Sequence, residues 1–136
     1  MINVVTSCSL EGWNKYGKKA LLSFLQFWPK EVTIHLVSEA TLPLQELNRD
    51  WIDPERFKFW NLDQHLNAYE FYMRHKDNKS ARGQKHHIYD FRLDAWRFSK
   101  KVFAIDLVSH HITGGRLLWL DADTITLDSV PTEMLQ

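Results

Sequence analysis

Several things are scarce in this chain, and each scarcity removes a class of explanation. There is one cysteine, Cys8, so no internal disulfide can form, which fits a reducing compartment. No apolar run approaches the ~20 residues that cross a bilayer. The opening residues MINVVTSCS lack the basic leader and long apolar segment of a signal peptide. Together these absences predict a cytoplasmic protein without a membrane span. Basic and acidic residues balance at 17 each, so no global charge calls for nucleic acid or an anionic membrane. The sequence contains no G-x-x-x-x-G-K-[ST], G-x-G-x-x-G or G-x-S-x-G stretch, which excludes the commonest P-loop, dinucleotide and nucleophile-elbow readings.

Aromatic residues are plentiful, at 13% of the 136 positions, and imply either a core of large rings or a stacking surface. The length suits one domain covering residues 1–136. Ile2 to Ser7 are β-branched and mostly apolar, as in a strand buried on both faces. The period then changes. Tyr16, Ala20, Phe24 and Phe27 recur at helical spacing, widened by Leu21 and Trp28, until Pro29 stops the pattern. Val32 to Glu39 reads as a second strand, completing a βαβ unit with parallel strands.

Residues 41–57 read as short elements and turns around Pro43 and Pro54, and Phe57 to Leu62 as a third strand. Asp63 is placed to cap a helix carrying Leu66, Tyr69 and Met73. The polar segment Asp77 to His87 is a loop, read either as a lid over a ligand or as a solvated connection. From Ile88 to about His110 a helix is expected, with Phe91, Ala95, Phe98, Val102 and Ile105 as its stripe and Gly114 and Gly115 as its end. A strand follows. The alternation predicts an α/β fold with a mostly parallel sheet flanked by helices.

That last strand, RLLWLDADTITL, runs into two carboxylates one residue apart. On an extended chain Asp121 and Asp123 would point to the same side. A bare D-x-D carries little weight, because ten Asp in this chain give about 0.7 such pairs by chance. Its context carries more. Leu117, Leu118, Trp119 and Leu120 place the pair at the C-terminal end of a buried parallel strand, where open α/β sheets bind ligands. Like charges there need a cation or a proton, and hard oxygen ligands favour Mg²⁺ or Mn²⁺ shared with phosphate. The alternative is structural: Asp121 caps a loop and Asp123 starts a turn.

Four stretches together resemble the nucleotide-binding half of sugar-nucleotide-dependent glycosyltransferases of the GT-A fold. They are VVTSCS in the first strand, YGKKALLSF…WP in the first helix, FRLDAWRFSKKVFAI in the long helix, and LLWLDADT. They are similar to a poorly characterised bacterial and viral group of that family. The resemblance implies a hexosyltransferase-type donor domain that binds a nucleoside diphosphate sugar of the UDP or GDP type. Asp121 would meet the ribose or the metal, Asp123 would ligate Mn²⁺ or Mg²⁺, and Thr6, Ser7 and Ser9 would lie near base and ribose. Arg97 and Lys101, four apart on the long helix beside Lys100, would meet the diphosphate. The other reading for them is a solvated basic face, with Asp94 and Arg97 paired at i,i+3.

On this resemblance the acceptor half that such enzymes carry after the D-x-D strand is expected to be missing from these residues. The chain would then be either a fragment of a longer enzyme or a reduced version that binds a donor without turnover, so the acceptor and the catalytic base are unassigned. An uncovered face or sheet edge would favour self-association. Two other classes stay open. One is a non-catalytic nucleotide- or sugar-nucleotide-binding module. The other is a haloacid dehalogenase-type phosphohydrolase with D-x-D-x-[TV], where Ile125 occupies the last place. The adjacent pairs His86/His87 and His110/His111 read as surface residues, since neighbouring side chains diverge. Cys8 reads as a small buried thiol.

Overall fold

A computed structural model gives the fold and describes residues 1–47, 52–85 and 87–136. Its centre is a four-stranded, wholly parallel sheet made of β1 (Ile2–Cys8), β2 (Val32–Ser38), β3 (Phe57–Asn61) and β4 (Arg116–Trp119). The strand order is β3-β2-β1-β4, with helices on both faces. The expected α/β class with a parallel sheet is therefore present. The four residues 48–51, within the region of expected short elements, lie outside the described residues. So does His86.

β1 alternates between two cores. Val4 faces one side with Ile34 and Leu36, against Trp13, Leu21 and Phe24 from the first helical segment. Val5 faces the other with Val37, against Ala104, Leu107 and Val108. A strand covered on both faces has no polar side to offer, which is why its sequence is a β-branched run.

The first helical segment is continuous but not uniform. It comprises α1 (Leu10–Gly12), a π-helical turn (Trp13–Gly17) and α2 (Lys18–Phe27). Apolar periodicity shows the helix but not the π turn, which swings Trp13 into full burial beside the end of β1. Residues 121–136 then return along α2. The Trp28 indole donates to Thr126 Oγ1 (2.9 Å), the Thr126 N–H to Ser23 Oγ (2.9 Å), and the Val130 N–H to the Phe27 carbonyl (3.0 Å). Leu120, Ala122 and Leu135 pack on the same core.

Four expectations need correction. The helix expected from Ile88 starts later, as α4 (Ala95–Ser109), preceded by a 3-10 turn at Phe91–Leu93. Asp90 caps that turn and Asp94 caps α4, accepting from the Arg97 N–H at 2.9 Å, so two side-chain caps divide one apolar pattern. The expected stripe is also largely outside. Phe91, Phe98 and Val102 are exposed, and α4 buries Ala104, Leu107 and Val108 instead.

Asp63 does not cap the next helix, α3 (Leu66–His75). His65 does, its Nδ1 accepting from the Ala68 N–H at 3.2 Å, and Leu66, Tyr69 and Met73 face outward while Ala68 is buried. Finally, β4 is a half-buried edge strand rather than a buried one, because β1 is its one partner among the described residues. Gly115 (φ +88) launches it, and a Cβ there would collide with the Met1 carbonyl oxygen.

A polar thread crosses the second core. The Trp60 indole can only donate, so His35 Nδ1 accepts from it (3.0 Å), and the ring proton sits on Nε2, facing Asn3 Oδ1 at 2.9 Å. Burial, with a smaller push from Lys58, lowers the His35 pKa from 6.5 to about 4. The unfolded chain takes up this proton near pH 6.5 and the folded chain only near 4. Stability from this group is complete above pH 6.5 and lost as pH falls through about 4, a change on the order of 3 kcal/mol. Urea unfolding between pH 7.5 and 4 should show that slope in the parent and not in His35→Gln. Parallel pH profiles for the two would contradict a His35 held neutral by burial.

Candidate functional site

The strand order sets the position of the site. From β1 the chain builds outward to β2 and β3, then crosses back through α3 and α4 to place β4 on the other side of β1. Such a reversal opens a crevice beyond the C-terminal strand ends. A cleft of about 790 Å³ lies there. Its floor is the end of β1 with Ser7, Cys8 and Ser9; α4 lends Arg97 and Lys101; β4 lends Trp119 and the turn after it Asp121.

Each wall has a local cause. Ser9 leaves the strand in extended conformation (ψ 172°) and caps α1, its hydroxyl accepting from the Gly12 N–H at 3.1 Å. The π turn brings Lys15 and Tyr16 to the rim. On the facing side the Asp94 cap fixes the first turn of α4, and the Tyr89 hydroxyl donates to its other oxygen at 2.8 Å. The Tyr89 hydroxyl also lies against the Arg97 guanidinium and holds its pKa above the ordinary arginine range.

Most charges in the cleft are already paired. Lys15 meets Glu11 at 2.7 Å on the exposed helix surface. Lys100 meets Glu39 at 3.1 Å, with both side chains largely buried. Lys100 also lies 4.2 Å from the centre of the Trp96 ring, which Arg82 approaches as a second cation at 4.4 Å. Among the described residues Arg97 forms no ion pair, and Lys101 has a loose one with Asp121 at 3.9 Å. On α4 the cleft therefore offers Arg97 and Lys101 as its available positive charges, four residues apart on one helix face. Arg82, which also lines the cleft, has no ion pair among the described residues but lies on the Trp96 ring and donates to the Lys76 carbonyl at 3.0 Å.

The D-x-D pair is not arranged as an extended chain would place it. β4 ends at Trp119, and the Thr124 N–H bonds the Asp121 carbonyl at 2.9 Å, folding residues 121–124 into a turn. Asp121 lines the cleft, its Oδ1 accepting from the Trp119 indole at 2.6 Å. Asp123 is exposed, lines no part of the cleft, and has no partner among the described residues.

A resident divalent ion would need more donors than these. Asp121 is held by an indole and faced by an ammonium, and no group of three or more His, Cys, Asp or Glu suited to a metal occurs among the described residues. A cation here would depend on oxygens brought by a ligand.

Of the residues expected at the site, Ser7, Ser9, Arg97, Lys101 and Asp121 meet in the cleft. Thr6 lies elsewhere, beside Gly17 and Ala20 in a small void under α2, its hydroxyl buried without a partner. Burial, helped by Glu39, pushes the Cys8 thiol up to about 12, so it is a protonated packing group and no nucleophile. His110 and His111 turn back onto the carbonyls of Asp106 and Leu107 and close the end of α4. Residues 77–85 and 87–94 are tied down by turns, and of the expected loop Arg82 reaches the cleft. Sequence reasoning missed Tyr16, Glu39 and Trp119, whose roles depend on long-range packing.

The fold and cleft define an α/β protein with a wholly parallel sheet and an open crevice at the point where strand order reverses. No family model, curated protein or solved structure matches this chain. The likeness to glycosyltransferases accordingly rests on the motif residues quoted above.

The two ion pairs of the cleft differ in burial, and that difference is measurable. Glu39→Gln leaves the Lys100 ammonium without its carboxylate in a largely buried setting and should cost about 1–3 kcal/mol. Glu11→Gln breaks an exposed pair and should leave the urea midpoint essentially unchanged. Equal effects would contradict the structural role given to Glu39.

Proposed function

We propose that this chain is the donor-binding domain of a glycosyltransferase, holding a nucleoside diphosphate sugar in the switch-point cleft. One observation carries the reading: Ser7, Ser9, Arg97, Lys101 and Asp121, far apart in sequence, converge on a single crevice beyond β1 and β4. The chemistry of that set suits a nucleoside diphosphate. Arg97 offers a planar fork for phosphate oxygens, and Lys101 a compact point charge one turn away. The hydroxyl of Ser7 and the carboxylate of Asp121 suit the hydroxyls of a ribose or a sugar, the carboxylate only as acceptor.

In glycosyl transfer the bond between the anomeric carbon and the diphosphate oxygen breaks, leaving negative charge on the departing nucleoside diphosphate. Arg97 and Lys101 would stabilise that charge. Mn²⁺ or Mg²⁺ belongs to the family's expectation, and Asp121 is the one carboxylate of the motif that lines the cleft and would hold it. No side chain in the cleft is assigned as a catalytic base. A binding module that holds the same ligand without transfer uses the same residues.

Thermal unfolding with UDP and GDP, each with and without Mn²⁺, tests this reading. A bound nucleotide at ~100 times its dissociation constant should add about 2.7 kcal/mol. The shift should be seen with one nucleoside diphosphate and be much reduced in Arg97→Gln/Asp121→Ala. A folded parent with no shift under any of these conditions would refute the donor site.

A further inference from the structure

Trp119 organises its surroundings in a way the donor reading does not require. Its indole N–H donates to Asp121 Oδ1 at 2.6 Å, while its ring centre lies 4.7 Å from the Lys101 ammonium. The same Lys101 ammonium is 3.9 Å from that same carboxylate oxygen. One aromatic side chain thus holds an anion at its edge and a cation on its face, with the two ions directed at each other. Asp121 and Lys101 are both substantially solvent-accessible, at 66% and 46%, so the contact is loose enough to be remade around a ligand.

Resting on the donor-binding reading, the geometry points to Lys101 as the built-in cation of this site. It supplies at Asp121 the positive charge that a divalent ion would otherwise supply, and the cleft takes its diphosphate without a metal. Four observations support this assignment. The Lys101 ammonium already faces the Asp121 oxygen on which a metal would sit, and a divalent ion there would be repelled by it. The second carboxylate of the motif, Asp123, is turned out of the cleft. Arg97 lies one helical turn before Lys101 with no ion pair among the described residues, giving two positive charges for a group carrying two or three negative ones. The remaining lysines of the cleft, Lys15 and Lys100, are held by Glu11 and Glu39 and do not compete for that role.

On binding, Lys101 would keep its place on the Trp119 face and exchange the long Asp121 contact for a phosphate oxygen. Asp121, still held by the indole, would then accept from a ligand hydroxyl. Removing the lysine leaves Asp121 as an uncompensated carboxylate beside the phosphates, a setting in which a divalent ion becomes useful.

The experiment is equilibrium binding of UDP, GDP and inorganic pyrophosphate to the parent chain and to Lys101→Met, in EDTA and in Mn²⁺. Lys101 is on the surface of α4, so Lys101→Met should keep the parent's unfolding midpoint, which is checked first. The parent should bind a nucleoside diphosphate in EDTA, with Mn²⁺ changing affinity by less than about threefold. In EDTA, Lys101→Met should bind about tenfold or more weakly, the loss of one charge-assisted contact, and Mn²⁺ should now strengthen it.

Binding by the parent only with Mn²⁺ would overturn the role of Lys101 and leave the donor reading standing. Equal affinities of parent and Lys101→Met in EDTA would do the same. Pyrophosphate bound in EDTA and lost in Lys101→Met, with no nucleotide bound, would uphold Lys101 and remove the donor reading. No binding of any of the three ligands would overturn both.

Discussion

The two-sided burial of β1 is the constraint on which the rest of this structure depends. A strand with Val4 in one core and Val5 in the other must be covered by a helix on each face and by a parallel neighbour on each edge. Once β2 takes one edge and β4 the other, chain direction and strand order leave a crevice at the C-terminal end of β1. The cleft is thus a consequence of packing before it is a feature of chemistry. Its polar residues sit where strands end because that is where the backbone leaves the apolar layers. Ser9 shows the link at one residue, ending β1, capping the helix and forming part of the floor.

Electrostatics then narrows what the cleft can hold. Lysine and arginine are numerous around it, yet acids and rings occupy most of them. The Lys100–Glu39 pair braces α4 against the end of β2, and Trp96 is covered by Lys100 and Arg82. Arg97, with no ion pair among the described residues, and Lys101, with only a loose one to Asp121 at 3.9 Å, are the least committed of the cations on α4. The aromatic residues have two uses here. Trp13, Phe24 and Trp28 fill the first core, whereas Trp96 and Trp119 hold cations at the cleft wall. Composition alone left core and surface open as alternatives, and both are present.

Much of the architecture was legible in the sequence because burial on both faces gives β1 and β2 near-continuous apolar runs, and the edge strand β3 keeps a short aromatic one. β1, β2 and β3 lie where their apolar runs put them, and Arg97, Lys101 and Asp121 share the cleft that strand-end reasoning anticipated. The failures have specific physical origins. The period of Phe91, Ala95, Phe98, Val102 and Ile105 is genuine, but caps at Asp90 and Asp94 divide it, and burial of Ala104, Leu107 and Val108 selects a neighbouring face of α4. A helical period cannot say which of two adjacent apolar faces meets the sheet. Asp123 was expected beside Asp121 because the strand was read too long; the turn at residues 121–124 separates their directions. Thr6 was expected in the cleft, but alternation along β1 turns it under α2 while Ser7 faces the opening. The Lys101–Trp119–Asp121 arrangement could not be read from spacing, since it joins a helix to a strand through a ring.

The central claim is that a nucleoside diphosphate occupies the crevice between the ends of β1 and β4. It is tested most directly by following backbone and indole N–H signals in ¹H–¹⁵N spectra during titration with UDP or GDP. The Trp119 indole, identified by its loss in Trp119→Phe, should shift together with the amides of Ser7, Ser9 and Lys101. The Trp13 and Trp28 indoles, in or against the other core, should stay fixed. Shifts centred on Lys79 to Tyr89, with an unmoved Trp119 indole, would contradict the account.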